Sequence, residues 1–197
     1  MDFSYYPGCS LESTAREYDD SVRAVFASLK VGLQELEDWS CCGASSAHSL
    51  NHELSLTLPA RNLAIAQEIG HDLVVPCAAC YNRLKSADHE MQTSKERRAF
   101  IEKTVGFQYN GTVAVRPLLD VIGNAVGLER IKARVKQPLA GLEVVSYYGC
   151  LLVRPPEIAQ FDDPENPTLM GEILTVLGAD VHPWSYATDC CGGSLVL

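Results

Sequence analysis

Apolar positions along this chain alternate between short runs and helical stripes. Residues 3–6 form a short aromatic run, closed by the turn dipeptide Pro7-Gly8, and Cys9 follows at once. Over 13–29 the apolar residues Ala15, Tyr18, Val22, Val25, Phe26 and Leu29 recur at helical spacing. Residues 33–36 read as the next strand and lead through Asp38-Trp39-Ser40 into Cys41-Cys42-Gly43. A long helix is predicted within 52–69, with Gly70 as its stop signal. Residues 72–75 read as a buried strand ended by Pro76 and Cys77. Helical patterns follow at 79–91, 95–105, 117–126 and 128–135, and 142–145 is again strand-like.

This succession predicts an α/β fold of parallel β-α-β units with right-handed crossovers and helices on both faces. Sites in such sheets form beyond the carboxyl ends of the strands. Cys9, Cys41, Cys42 and Cys77 each follow a predicted strand, and Cys80 lies one helical turn after Cys77. Five thiols spread over 72 residues are therefore expected at one edge.

The pattern recurs. Ser4-Tyr5-Tyr6-Pro7-Gly8-Cys9 returns as Ser146-Tyr147-Tyr148-Gly149-Cys150, and Trp39-Ser40-Cys41-Cys42-Gly43 returns loosely as Trp184-Ser185 followed by Cys190-Cys191-Gly192. The gap from lone cysteine to cysteine pair is 31 residues in the first copy and 39 in the second. A second Cys-x-x-Cys does not occur before Leu197. The reading expected from this is an internal duplication: a complete first domain over 1–138 and the start of a second over 139–197, truncated at its C-terminus.

Composition narrows the chemistry. A net charge of −9 and a pI near 5.0 exclude a basic nucleic-acid-binding face. No apolar run reaches the length of a transmembrane segment, and the N-terminus lacks the pattern of a secretory signal. The expectation is a cytoplasmic protein, in whose reducing surroundings eight cysteines read as metal-binding or redox-active. Soft thiolates suit zinc or iron–sulfur clusters. Structural zinc usually takes two Cys-x-x-Cys knuckles, whereas here one knuckle accompanies a lone cysteine and a vicinal pair. Adjacent cysteines suit a multi-iron cluster better, because each sulfur can reach a different iron. A zinc-stabilised assembly module remains the alternative, and inert buried thiols or a thioredoxin-like pair at Cys77 and Cys80 are the blander ones.

Other features carry less. His48 and His52 lie four apart and read as packing or capping residues, with a role toward the site as the other option. Asp162-Asp163-Pro164-Glu165 reads as a turn or helix lead-in rather than a cation site. No nucleotide-binding glycine motif is present.

Three motifs, Tyr6-Pro7-Gly8-Cys9, Cys41-Cys42-Gly43 and Pro76-Cys77-Ala78-Ala79-Cys80-Tyr81, occur in the order and spacing of the cysteine-rich CCG domain family, which the chain resembles. Tyr148-Gly149-Cys150, the run Phe161-Asp162-Asp163-Pro164-Glu165-Asn166-Pro167 and Cys190-Cys191-Gly192 resemble the second domain of the B-type subunit of heterodisulfide reductase. The resemblance implies non-cubane four-iron clusters and reduction of a disulfide, one electron reaching each half. It implies Cys9, Cys41, Cys42, Cys77 and Cys80 as ligands of a first cluster, and Cys150, Cys190 and Cys191 as three ligands of a second. It also implies an iron–sulfur electron-transfer subunit and a flavin subunit as partners.

Overall fold

The structure is a computed structural model and describes residues 1–44 and 47–193. Two compact units divide the chain, Met1–Arg116 and Pro117–Leu197.

The first unit runs β1 (Asp2–Tyr5), α1 (Cys9–Glu12), α2 (Arg16–Ser28), β2 (Gly32–Glu35), α3 (Ala47–Leu50), α4 (His52–Ile69), β3 (Leu73–Val75), α5 (Ala78–Thr93), α6 (Lys95–Val105) and β4 (Val115–Pro117). Its sheet has the order β2-β1-β3-β4, and β1 pairs in parallel with both β2 and β3. Leu73, Val74 and Val75 have no solvent exposure, as expected of an inner strand covered on both faces. The parallel α/β architecture predicted from the apolar pattern is present.

Local sequence explains where elements begin and end. Asn51 caps α4 by accepting the Leu54 N–H at 3.0 Å, and Ser94 caps α6 through the Arg97 N–H at 3.2 Å. Gly70 and Gly106 end those helices in the left-handed conformation that a side chain disfavours. The predicted helix over 13–29 is α2, and the single turn of α1 before it is an addition. Strand β4 has no counterpart in the apolar pattern: it is three residues long and ends in Pro117, which an edge position tolerates because the missing N–H is not needed by a neighbour.

The second unit comprises α7 (Leu118–Asp120), a π-helical stretch (Val121–Gly127), α8 (Leu128–Lys132), β5 (Glu143–Val144), α9 (Pro156–Ala159), α10 (Leu169–Val176) and β6 (Asp180–Val181). The strand-like run at 142–145 is β5, paired in parallel with β6. Here α9, α10 and β6 are additions to the predicted elements. Gly123 lets the π-helical stretch approach α10, since a Cβ there would sit 2.5 Å from Leu169 Cδ1. Residues 117–138 thus pack with this unit, and the compact units divide earlier in the chain than the cysteine pattern does.

Candidate functional site

Strand order fixes the site. From β1 the chain moves one way to β2 and the other way to β3, so the direction of winding reverses between β1 and β3. A crevice opens at the carboxyl ends of strands on either side of such a reversal. Cys9 opens α1 just after β1, Cys41 and Cys42 follow β2, and Cys77 caps α5 directly after β3. Because these strands are parallel, their carboxyl ends share one edge.

The structure brings the five N-terminal thiols together. Cys42 and Cys80 touch through sulfurs 3.1 Å apart, both nearly fully buried. Cys77 is hydrogen-bonded to Cys80, and Cys41 to Cys9. Gly8 borders the crevice on the β1 side. Its φ of +77° and the 2.9 Å gap between a Cβ placed there and Cys80 Sγ leave room for glycine alone.

Electrostatics differ among the five. Hydrogen bonding with Cys80 draws the Cys77 thiol down to about 6, against the effect of burial, and the N–H groups of Cys80 and Ala79 add to it. The bond with Cys80 also lowers Cys42, burial again opposing. Bonds with Cys42 and Cys77, together with burial, hold Cys80 well above the ordinary thiol range. Burial raises Cys41, while its bond from the Gly43 N–H at 3.4 Å opposes the rise.

The second unit assembles Cys150, Cys190 and Cys191 in the same manner. Cys150 is hydrogen-bonded to Cys190, as Cys9 is to Cys41. Gly192 N–H points at Cys190 Sγ and Gly193 N–H at Cys191 Sγ, each at 3.4 Å, repeating the Gly43–Cys41 contact. These cysteines are more open than those of the first unit: Cys190 and Cys191 are exposed.

All eight thiols are free, and among the described residues no three Cys, His, Asp or Glu are grouped to share a single metal ion. The donors suit an iron–sulfur cluster by their chemistry: soft sulfur, five from three strand ends, with backbone N–H groups directed at the sulfurs to offset thiolate charge.

His48 lies in α3, its Nε2 3.5 Å from Ser49 Oγ, and His52 begins α4 beyond the Asn51 cap. The acidic run at 162–165 forms a turn and helix lead-in. Asp162 accepts the N–H groups of Asp163, Thr168 and Leu169, and Asp163 accepts those of Glu165 and Asn166. Sequence reasoning missed Asn62, which is fully buried and brackets Ser40 just before the cysteine pair. Its one signal is an amide between Arg61 and Leu63 in the middle of α4.

The cysteine-rich CCG domain family matches residues 3–85 and 144–197. The chain is 36% identical over 193 residues to the 8-methylmenaquinol:fumarate reductase membrane anchor subunit of Wolinella succinogenes, covering 97% of this chain and 67% of that protein. It is 31% identical to a protein of Archaeoglobus profundus that is like the B-type subunit of heterodisulfide reductase, covering 96% and 66%. It is 27% identical to the B-type subunit of the ferredoxin/F(420)H(2)-dependent CoB-CoM heterodisulfide reductase of Methanosarcina acetivorans, covering 96% and 64%. The chain thus spans about two thirds of the length of these relatives. With two matched segments and both cysteine patterns in place, this chain belongs to the cysteine-rich CCG domain family.

Proposed function

We propose that the chain is an iron–sulfur subunit of a heterodisulfide reductase-like oxidoreductase. The observation that carries this reading is the meeting of five thiols from the ends of β1, β2 and β3 at the winding reversal of a parallel sheet. Cys9, Cys41, Cys42, Cys77 and Cys80 would hold one non-cubane four-iron cluster, and Cys150, Cys190 and Cys191 would contribute to a second. Such a group supplies one-electron transfer. The chain's own residues hold the thiolates at the sheet edge and direct backbone N–H groups at Cys77 and Cys41. Gly8 leaves the space beside Cys80 Sγ free of a side chain.

The reaction is reduction of a disulfide by two electrons and two protons to two thiols. Electrons would come from an iron–sulfur partner subunit and ultimately a flavin subunit, in the cytoplasm. The 1–138 and 139–197 segments are the two halves of the duplication in this reading. Anaerobic stopped-flow oxidation of the reduced, cluster-loaded protein by a small organic disulfide tests it. Oxidation dependent on disulfide concentration supports it, and a loaded protein inert to disulfides contradicts it.

The Wolinella relative favours a second reading, in which the same thiols serve an electron relay in a quinol-linked reductase without a disulfide substrate. Oxidation by fumarate through a partner reductase, with no response to disulfides, would select it. Among the described residues no helix is long and apolar enough to cross a membrane.

A further inference from the structure

Tyr6 stands three residues before Cys9, is fully buried, and donates its hydroxyl to the Ser40 carbonyl at 2.8 Å. Ser40 immediately precedes Cys41-Cys42. The second unit repeats the bond. Tyr147, three residues before Cys150, donates to the Asp189 carbonyl at 2.7 Å, and Asp189 immediately precedes Cys190-Cys191. Each ring also meets a tryptophan edge to face, Tyr6 with Trp39 at 5.2 Å and Tyr147 with Trp184 at 6.2 Å. The structural counterpart of Tyr6 is therefore Tyr147, one residue away from the Tyr148 that matching the tyrosine pairs by sequence would choose.

The first unit adds a second clamp. Asn62 Oδ1 accepts the Ser40 N–H at 2.9 Å, and Asn62 Nδ2 donates to the Ser40 carbonyl at 2.9 Å. Both backbone polar groups of Ser40 are thus held by side chains, one from the end of β1 and one from α4. Tyr6 and Asn62 make these bonds fully buried and Tyr147 makes its bond from an exposed ring, so the same contact recurs just before each cysteine pair in two different settings.

We propose that Tyr6 and Asn62 are positioning residues that latch the Cys41-Cys42 loop to the end of β1, and that Tyr147 latches Cys190-Cys191 in the same way. The latch serves the thiols in the cluster-binding role proposed above, and its purpose rests on that reading.

Tyr6→Phe removes the hydroxyl and keeps the ring on Trp39. In reduced, cofactor-free protein, alkylation of the buried Cys42 thiol by iodoacetamide, read by mass spectrometry, is expected to rise about fivefold, the change in open population for one lost net hydrogen bond. Asn62→Ala is expected to raise it at least as much. Tyr5→Phe is the matched control: it deletes the adjacent hydroxyl, which bonds Asp19 instead, and should leave Cys42 at the wild-type rate. An unchanged rate in Tyr6→Phe, or an equal rise in Tyr5→Phe, overturns the latch. After anaerobic reconstitution with iron and sulfide, Tyr6→Phe should retain less iron than wild type, and equal retention also counts against the latch. If wild type itself takes up no iron, the cluster reading fails while the alkylation rates still decide the latch.

Discussion

Cys42 and Cys80, separated by 38 residues in sequence, place their sulfurs 3.1 Å apart. The contact ties the loop after β2 to the first turn of α5, which starts directly after β3. Two strands on opposite sides of β1 are thereby joined above it, and Gly8, at the end of β1, lies directly against the junction.

The Gly8 position gives the first prediction. Gly8→Ala forces a Cβ into Cys80 Sγ at a φ of +77°, a region that costs a non-glycine residue about 1–3 kcal/mol. The variant should lose stability of about that size in urea unfolding and bind less iron on reconstitution. Wild-type stability would show that β1's end can shift to accommodate a methyl group.

Asp162 provides the second. It receives the N–H groups of Thr168 and Leu169 at the start of α10, together with the Tyr148 hydroxyl at 3.3 Å. Asp162→Ala should cost about 1–2 kcal/mol as a lost helix cap. Hydrogen exchange of the 169–176 amides should quicken about tenfold as a result. Millimolar calcium should leave the wild-type rates unchanged, because the carboxylates are already engaged by the backbone.

Glu102 supplies a pH dependence. The Tyr109 N–H at 2.8 Å and Arg98 Nε at 3.0 Å both bind its carboxylate and hold its pKa below the usual glutamate value. With the folded value depressed, the unfolded chain binds more protons in the window between the two values, so stability rises with pH through that window. The contribution is complete above the ordinary value of about 4.3 and is lost as pH falls through the lower folded value. Urea midpoints measured from pH 6 downward should fall less steeply for Glu102→Gln than for wild type. Parallel curves would remove Glu102 from the acid response.

Much of this arrangement is legible in the sequence because it depends on short-range signals. Pro7-Gly8 and Pro76 mark strand ends, and Gly70 marks a helix end, so the elements that carry Cys9, Cys77 and Cys80 can be placed. The duplication can be read as well, since Cys-Cys-Gly recurs and turns the same way in both copies. What is not legible depends on partners distant in sequence. Strand β4 exists because Leu73 N–H reaches the Ala114 carbonyl, and no local periodicity encodes that pairing. Asn62 resembles any polar interruption of a helix until Ser40 is brought beside it. Tyr6 and Tyr147 are chosen over their neighbours by the carbonyl each reaches, which depends on the loop before the cysteine pair.

The central claim is that the five thiols at the sheet edge bind an iron–sulfur cluster. Anaerobic purification, with iron, zinc and acid-labile sulfide quantified on the same sample, tests it most directly. The expected result is a brown protein with about four iron and comparable sulfide for the complete site. Cys42→Ser or Cys77→Ser should then lose most of that iron while the chain stays folded. A colourless protein carrying stoichiometric zinc and no sulfide would contradict the claim and support the zinc-stabilised module instead.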